Sequence, residues 1–393
     1  MGKSARKALA RLASAGSASA VVVALVSGTS PVSAATPAPA GMITAAASHC
    51  HAAQLAGSGG FLGSFTTVCE VASTVPANGD LNPYGIAVVP ATVGHLTAGS
   101  VLVSNFNNSH NLQGTGSTIM EISPAGSATV FANLAHQVGA RVGLTTALAV
   151  FRDGYVVVGS LPTTNGKAAT ATAGALYVLN NLGHVVEAIS GPDINGPWDM
   201  TSYDGGGFGA LFITNVLNGA VAAGGSVVHR GNVVRLVLDL LKSPPVVRQQ
   251  VVIASGFAEK SDPAALVIGP TGLALAPNGT VYVADTLGNR ITAIADGLFR
   301  STSAGTGTTV SPGQFLNAPL GLAIAPDGDL LSANGDNGQI VETTLAGAQP
   351  QWPSVDNSGS PPGAGALFGL VPQPGGKALY FVDDATNTLE IFK

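Results

Sequence analysis

One phrase returns along this 393-residue chain: a Gly, a short apolar run, a Pro-Gly-type turn, a second apolar run, then Asn or Asp. Its clearest copy starts at Gly272, turns at Pro277-Asn278-Gly279 and ends at Asp285; another runs from Gly321 through Pro326-Asp327-Gly328 to Asn334. A segment repeated at this scale is one supersecondary unit that cannot bury both its faces alone, so the repeat dictates the architecture. Six copies can be followed, beginning at Tyr84-Gly85-Ile86, Val142-Gly143-Leu144, Trp198-Asp199-Met200, Thr271-Gly272-Leu273, Leu320-Gly321-Leu322 and Phe368-Gly369-Leu370. Successive spacings are 58, 56, 73, 49 and 48 residues. Each interval has room for about four strands of ordinary length. In the fourth unit these would be Leu273 to Ala276, Thr280 to Ala284, Arg290 to Ile294 and a strand around Thr308 to Val310. The expected fold is all-β: a six-bladed β-propeller with four antiparallel strands per blade.

The ends of the chain refine that expectation. The sixth unit supplies only three strands, at 366–371, 378–383 and 388–392, before the chain stops. A strand-like segment at about 64–72 precedes the first unit without a partner. Placed as the outer strand of the sixth blade, it closes the ring and removes an exposed edge. Cys50 and Cys69 are the only cysteines. A disulfide between them would fasten the lead-in to this closing strand; a metal or redox site using His49, Cys50 and His51 lacks a second Cys/His cluster.

The first residues read as an address. Lys3, Arg6, Lys7 and Arg11 form a basic region, Val21 to Val26 lies in a short apolar run, and Val32-Ser33-Ala34 supplies small residues for cleavage. Residues 1–34 are therefore expected to be a signal peptide of a secreted, extracellular or periplasmic protein, 35–60 a flexible lead-in, and 61–393 the propeller. The apolar run is too short to span a bilayer, which needs roughly 20 residues. Four of the 16 basic residues fall in the signal, leaving 12 against 21 acidic ones. With no basic cluster beyond it, nucleic acid is excluded as a partner, and a monomer with an extracellular ligand is expected. Charged residues make up only 9% of the chain, against about 25% in an ordinary soluble domain. A membrane β-barrel shares that poverty of charge but would not set the same phrase at matching points of every unit.

The repeat resembles the NHL family of six-bladed propellers, most closely over Gly272 to Ile294, where Val283-Ala284-Asp285 and Gly288-Asn289-Arg290-Ile291 follow the family pattern, and again over Asn317 to Asn334. The wider superfamily implied by this resemblance includes gluconolactonase and senescence-marker lactonases, strictosidine-synthase-like enzymes and modules that only bind. In the gluconolactonase-like members a divalent cation sits at one channel mouth, held partly by Asn or Asp just before the repeated Gly. The matching positions here are Tyr84, Val142, Trp198, Thr271, Leu320 and Phe368, and none is a carboxylate or an amide. The residues thus give no metal ligand set and no cofactor, with a cation such as Ca²⁺ left open.

Those six positions should converge on one opening, where Tyr84, Trp198, Thr271, Leu320 and Phe368 would either line a ligand site or plug the channel. Asp199 replaces the repeated Gly and is a candidate general base, with turn capping as the plainer role. The amide-rich loop 105–114 offers Asn107 for binding and His110 as an acid/base, and Asn107 also begins a glycosylation pattern, as does Asn278. Asn105, Asn215, Asp285, Asn334 and Asp383, with Ser160, recur at second-strand ends and are expected to stabilise turns. The insertion from Ala220 to Arg230 enlarges the third unit, either as the rim of a site or, as its composition suggests, as a plain loop. On the sequence, the chain is a secreted binding or interaction module for a small ligand or envelope component. The alternative is a lactonase, hydrolase or lyase with its active site at the channel mouth.

Overall fold

The turn Pro277-Asn278-Gly279 shows how the phrase folds. Gly279 takes φ +83°, a conformation open to Gly, while Asn278 Oδ1 accepts the Thr280 N–H at 3.0 Å. The apolar runs on either side become the paired strands Pro270–Leu275 and Val281–Asp285. Arg290–Ile294 and Thr308–Ser311 complete a four-stranded antiparallel sheet. In the computed structural model, which describes residues 49–393, six antiparallel sheets of three to five strands form a six-bladed propeller. The signal segment and the lead-in up to residue 48 lie outside the described residues.

The other innermost strands are Leu81–Val88, Leu148–Val150, Pro197–Asp204, Pro319–Ile324 and Leu367–Pro372. Each lies at one edge of its sheet, and all but Leu148–Val150 contribute residues to the wall of the central cavity. The repeated Gly has a steric cause here. A Cβ added at Gly272 would fall closer than 3.0 Å to the Leu320 carbonyl oxygen, at Gly321 to that of Phe368, at Gly369 to that of Tyr84, and at Gly85 to that of Thr146. Neighbouring blades approach so closely at the axis that backbone meets backbone, and a side chain would hold them apart.

Register corrects the reading of the second blade. Ile86 pairs with Val103, Met200 with Ile213, Leu273 with Val283, Leu322 with Ser332 and Leu370 with Phe381. The corresponding pair in the second blade is Leu148 with Val158, so Ala147 holds the Gly position and Thr146 the one before it. Val142 and Gly143 lie four residues upstream in the connection between blades, with Val142 buried in the core. Gly143 imitated the signal because it too meets a backbone, that of Gly114, where a Cβ has no room.

Closure follows the expected plan. Thr67–Ser73 pairs antiparallel with Thr388–Phe392, and Cys50–Ala52 adds outside it with Cys50 opposite Cys69. The two cysteines form a disulfide with their Cα atoms 4.1 Å apart. The segment before Thr67 also does more than lead in. Phe61 and Leu62 donate their N–H groups to the Glu342 carboxylate at 2.7 and 2.9 Å, and Leu62, Phe65 and Val68 pack with Ile340, Leu379 and Phe392 between the fifth and sixth blades. In the fifth blade only Pro319–Ile324, Leu330–Asn334 and Ile340–Thr343 are regular strands. Pro350 and Pro353 interrupt the outer position, since Pro has no N–H to give a ladder. That edge is held instead by bridges from Gln351 and Ser354 inward to Glu342 and Gln339, and outward to Gly57 and Gln54.

Candidate functional site: a capped central channel

The residues before the repeated Gly meet at one mouth of the channel and close it. Trp198 Nε1 donates to the Tyr84 hydroxyl at 2.9 Å with the rings at 89°, and the Tyr84 and Phe368 centroids are 5.2 Å apart. Phe106 meets Phe368 edge-on at 5.8 Å. Leu144, Leu161, Val216, Leu266 and Val267 complete an apolar cap over this cluster. Thr271 is committed to structure: its hydroxyl bonds Thr286 Oγ1 at 2.7 Å and the Leu320 carbonyl at 3.1 Å, tying the fourth blade to the fifth. Leu320 is buried in the same ring. The structure therefore brings Tyr84, Trp198, Thr271, Leu320 and Phe368 to one opening, which their side chains fill.

A second layer over this mouth escaped the sequence reading. Val228–Asp239 and the 17-residue strand Val246–Asp262 extend past the sheet, and Leu266–Ile268 turns back to pair with the end of the latter. The tip of this hairpin reaches the amide-rich loop of the first blade, where the Gln113 side-chain amide donates to the Ala264 carbonyl. Lys260 Nζ stands 3.0 Å from Asp262 Oδ2 along the same strand. The apolar triplet Leu266-Val267-Ile268 just after Asp262-Pro263 was the available signal. The 220–230 insertion contributes chiefly Ala220, buried beneath this layer.

Asn107 is buried rather than displayed, grouped with Asn111 and Asn82 in an amide chain that ends on Asp384. This burial also removes the first glycosylation pattern from the surface; Asn278 is exposed in its turn. His110 is exposed on the loop tip and does not line the channel. The recurring strand-end residues hold turns and connections. Asn105 Nδ2 donates to Thr74 O at 2.8 Å, Asn334 Nδ2 to Phe315 O at 2.8 Å, and Asp285 accepts from Gly288 N–H and Arg290 Nε.

Beneath the cap the channel widens into a cavity of about 300 Å³. Asp199 lines it next to Tyr84, with Thr201, Leu273 and Leu370 among the walls. The Asp199 carboxyl accepts the Met200 N–H of its own strand at 2.7 Å, and the Leu273 N–H of the next blade also favours its charged form. Turn capping and a position in the channel thus coincide in one side chain. Burial, only partly offset by these two N–H groups, pushes the Asp199 pKa up to about 8. Tyr84 is pushed well above the ordinary phenol value, by burial first and the Asp199 charge second. Asp199 is half-exposed to the cavity, and a carboxyl with its pKa raised in this way can give a proton as well as take one near neutral pH. Among the described residues, no Lys, Arg or His lines the cavity.

The Gly-preceding ring, even with Thr146 in place of Val142, provides no carboxylate or amide and does not fit a divalent cation held there. A different acidic group, Asp327, Asp329 and Glu342, lies on the hairpin side of the fifth blade, its ligand atoms within 4.8 Å of one another. The Glu342 oxygens in it already accept the two backbone N–H groups of Phe61 and Leu62.

No protein-family profile matches the sequence, and no curated protein matches it either. Solved structures do resemble it, and they are gluconolactonase- and regucalcin-like six-bladed propellers among others. A gluconolactonase from Xanthomonas campestris superposes with a TM-score of 0.56 at 15% identity, over 89% of this chain and 97% of that one. The PQQ-bound aldose sugar dehydrogenase from Streptomyces coelicolor gives 0.50 at 16% identity, over 82% and 96%. Regucalcin, a calcium-binding protein from Agrobacterium tumefaciens, gives 0.47 at 13% identity, over 82% and 93%. At these identities the first two likenesses bear on the fold alone and leave the chemistry to this chain's own residues.

Proposed function

We propose that this protein is an enzyme of the hydrolase or lyase type, working outside the cytoplasm on a small molecule held in the central channel. Asp199 is its acid/base group. The observation that carries this reading is a single substitution in the repeat: a carboxyl stands where four of the other blades have Gly, and it lines the cavity walled by the inner strands. A carboxylic acid held protonated near neutral pH suits acyl transfer to water. The acid would donate to the departing oxygen as the carbon–oxygen bond breaks, and regain a proton from the attacking water as the new bond forms. Tyr84, neutral at all ordinary pH, would orient the substrate oxygen. No step runs through a metal, because the ring at the mouth lacks the donors. The disulfide and the expected signal peptide support a site of action outside the cytoplasm.

The binding-module reading retains one observation in its favour: the mouth that carries the metal in gluconolactonase-like relatives is sealed here by aromatic side chains. The two readings part in a turnover assay. Purified protein, dialysed against chelator, is expected to hydrolyse members of a panel of neutral lactones and esters. Asp199→Asn should lower kcat/KM by about 10²-fold or more without lowering Tm. Ligand binding with no turnover by either protein would return the binding module, and activity lost with the chelated metal would return a metal enzyme.

A further inference from the structure

The two ends of the channel are built differently, and the difference fixes where a ligand enters and what charge it can carry. Along the inner strands, burial falls away from the cap. In Pro197–Asp204 the first two residues and Met200 are buried, while Asp199 and Thr201 to Asp204 are half-exposed. In Leu81–Val88, residues 82 to 85 are buried and 86 to 88 half-exposed. Leu275, Ile324 and Pro372, the last residues of three other inner strands, are also half-exposed, and all three line the cavity. The cavity therefore opens on the face of the first-to-second-strand hairpins, opposite the aromatic cap and its overlying hairpin.

Inside, its polar surface comes from the unpaired edges of the inner strands, together with Asp199, Tyr84 and Thr201. Backbone N–H and C=O groups pair with amides, hydroxyls, esters and lactones. They do not neutralise a full charge, and an anion moved out of water here would find no cation. Resting on the enzyme reading above for the role of Asp199, we propose that the channel takes an uncharged small molecule through the hairpin face and discriminates against carboxylates and other anions. Hydrolysis of a neutral ester or lactone then has a built-in direction. The product carboxylate ionises in a chamber with no counter-charge and leaves by the same mouth.

A ligand and its own ring-opened product provide the test, because they differ by one water and one charge. Binding of γ-nonalactone and of 4-hydroxynonanoate to the whole mature protein is measured at pH 7 by quenching of Trp198 fluorescence and by thermal shift, with Trp198→Phe as the optical control. The lactone is expected to bind at least about tenfold more tightly than the carboxylate. Leu275→Trp, which narrows the hairpin mouth, should abolish lactone binding, with Ile324→Phe as a second variant if the first does not fold. Gln113→Ala, at the capped end, should leave binding within about twofold of the parent. Equal or tighter binding of the carboxylate overturns the proposal, as does loss of binding in Gln113→Ala with retention in both hairpin-face variants. Lactone binding without hydrolysis upholds the proposal and removes the enzyme reading. Turnover of a charged substrate with no lactone binding does the reverse.

Discussion

The third and fourth blades place different residues at the same point and show what that point can do. In the fourth blade Gly272 lets the carbonyl of Leu320 come up against the inner strand. In the third blade Asp199 stands there, lining the cavity with its carboxyl held by the Met200 N–H. One blade spends the position on closeness; the other opens a polar corner in the channel. The ring thus tolerates an exception, and the exception is where chemistry becomes available.

The largest effect should come from forcing the fourth blade to resemble the third. Gly272→Ala puts a Cβ against the Leu320 carbonyl and is expected to cost about 2–4 kcal/mol, read as a lowered urea midpoint. Asp199→Gly, the reverse exchange, should raise stability at pH 8 instead. If both substitutions destabilise alike, the position is not steric in one blade and chemical in the other.

Next in size is the seam that holds the ring shut. Cys50→Ser with Cys69→Ser opens a loop of 19 residues and should lower stability by up to about 3 kcal/mol. Inner-strand geometry at Gly272 and Asp199 both depend on a closed ring, so the double variant should lower the melting temperature without changing which substrates are used. An unchanged melting temperature would show that pairing of Thr67–Ser73 with Thr388–Phe392 closes the ring unaided.

The pH dependence follows from the carboxyls that burial pushes up. Asp199 has a folded pKa of about 8 against about 3.9 in an unfolded chain. The folded state therefore binds more protons between these values, and its stability falls as pH rises from about 4 to about 8. Asp384 and Asp383, raised by burial and then by neighbouring acids, and Glu390, raised to about 7, act in the same direction. Melting temperature should be higher at pH 5 than at pH 8, and Asp199→Asn should flatten part of the slope. The smallest effect is expected from Trp198→Phe, which leaves the Tyr84 hydroxyl without its donor and should cost about 1 kcal/mol.

Much of this was legible in the chain. The phrase from Gly272 to Asp285 contains its own turn, strands and steric Gly, so blade number and closure could be read locally. The second blade misled because Gly143 and Ala147 are four residues apart, and only pairing of Leu148 with Val158 decides which of them faces the axis. The hairpin ending at Ile268 was missed because its strand Val246–Asp262 carries Gly256, Lys260 and Ser261 where an apolar alternation was sought. Asp199 was visible as an exception, but its character was not. A sequence shows that a carboxyl replaces Gly; the raised pKa depends on the walls that enclose it, brought together from blades far apart in the chain.

The protonation state of Asp199 is the point on which the account rests. Carboxyl-carbon NMR of protein labelled at aspartate Cγ, compared with the Asp199→Asn variant to assign the signal, reads it directly. The account predicts a resonance that titrates with a midpoint near 8. A midpoint near 4, the ordinary value for an aspartate, would contradict it.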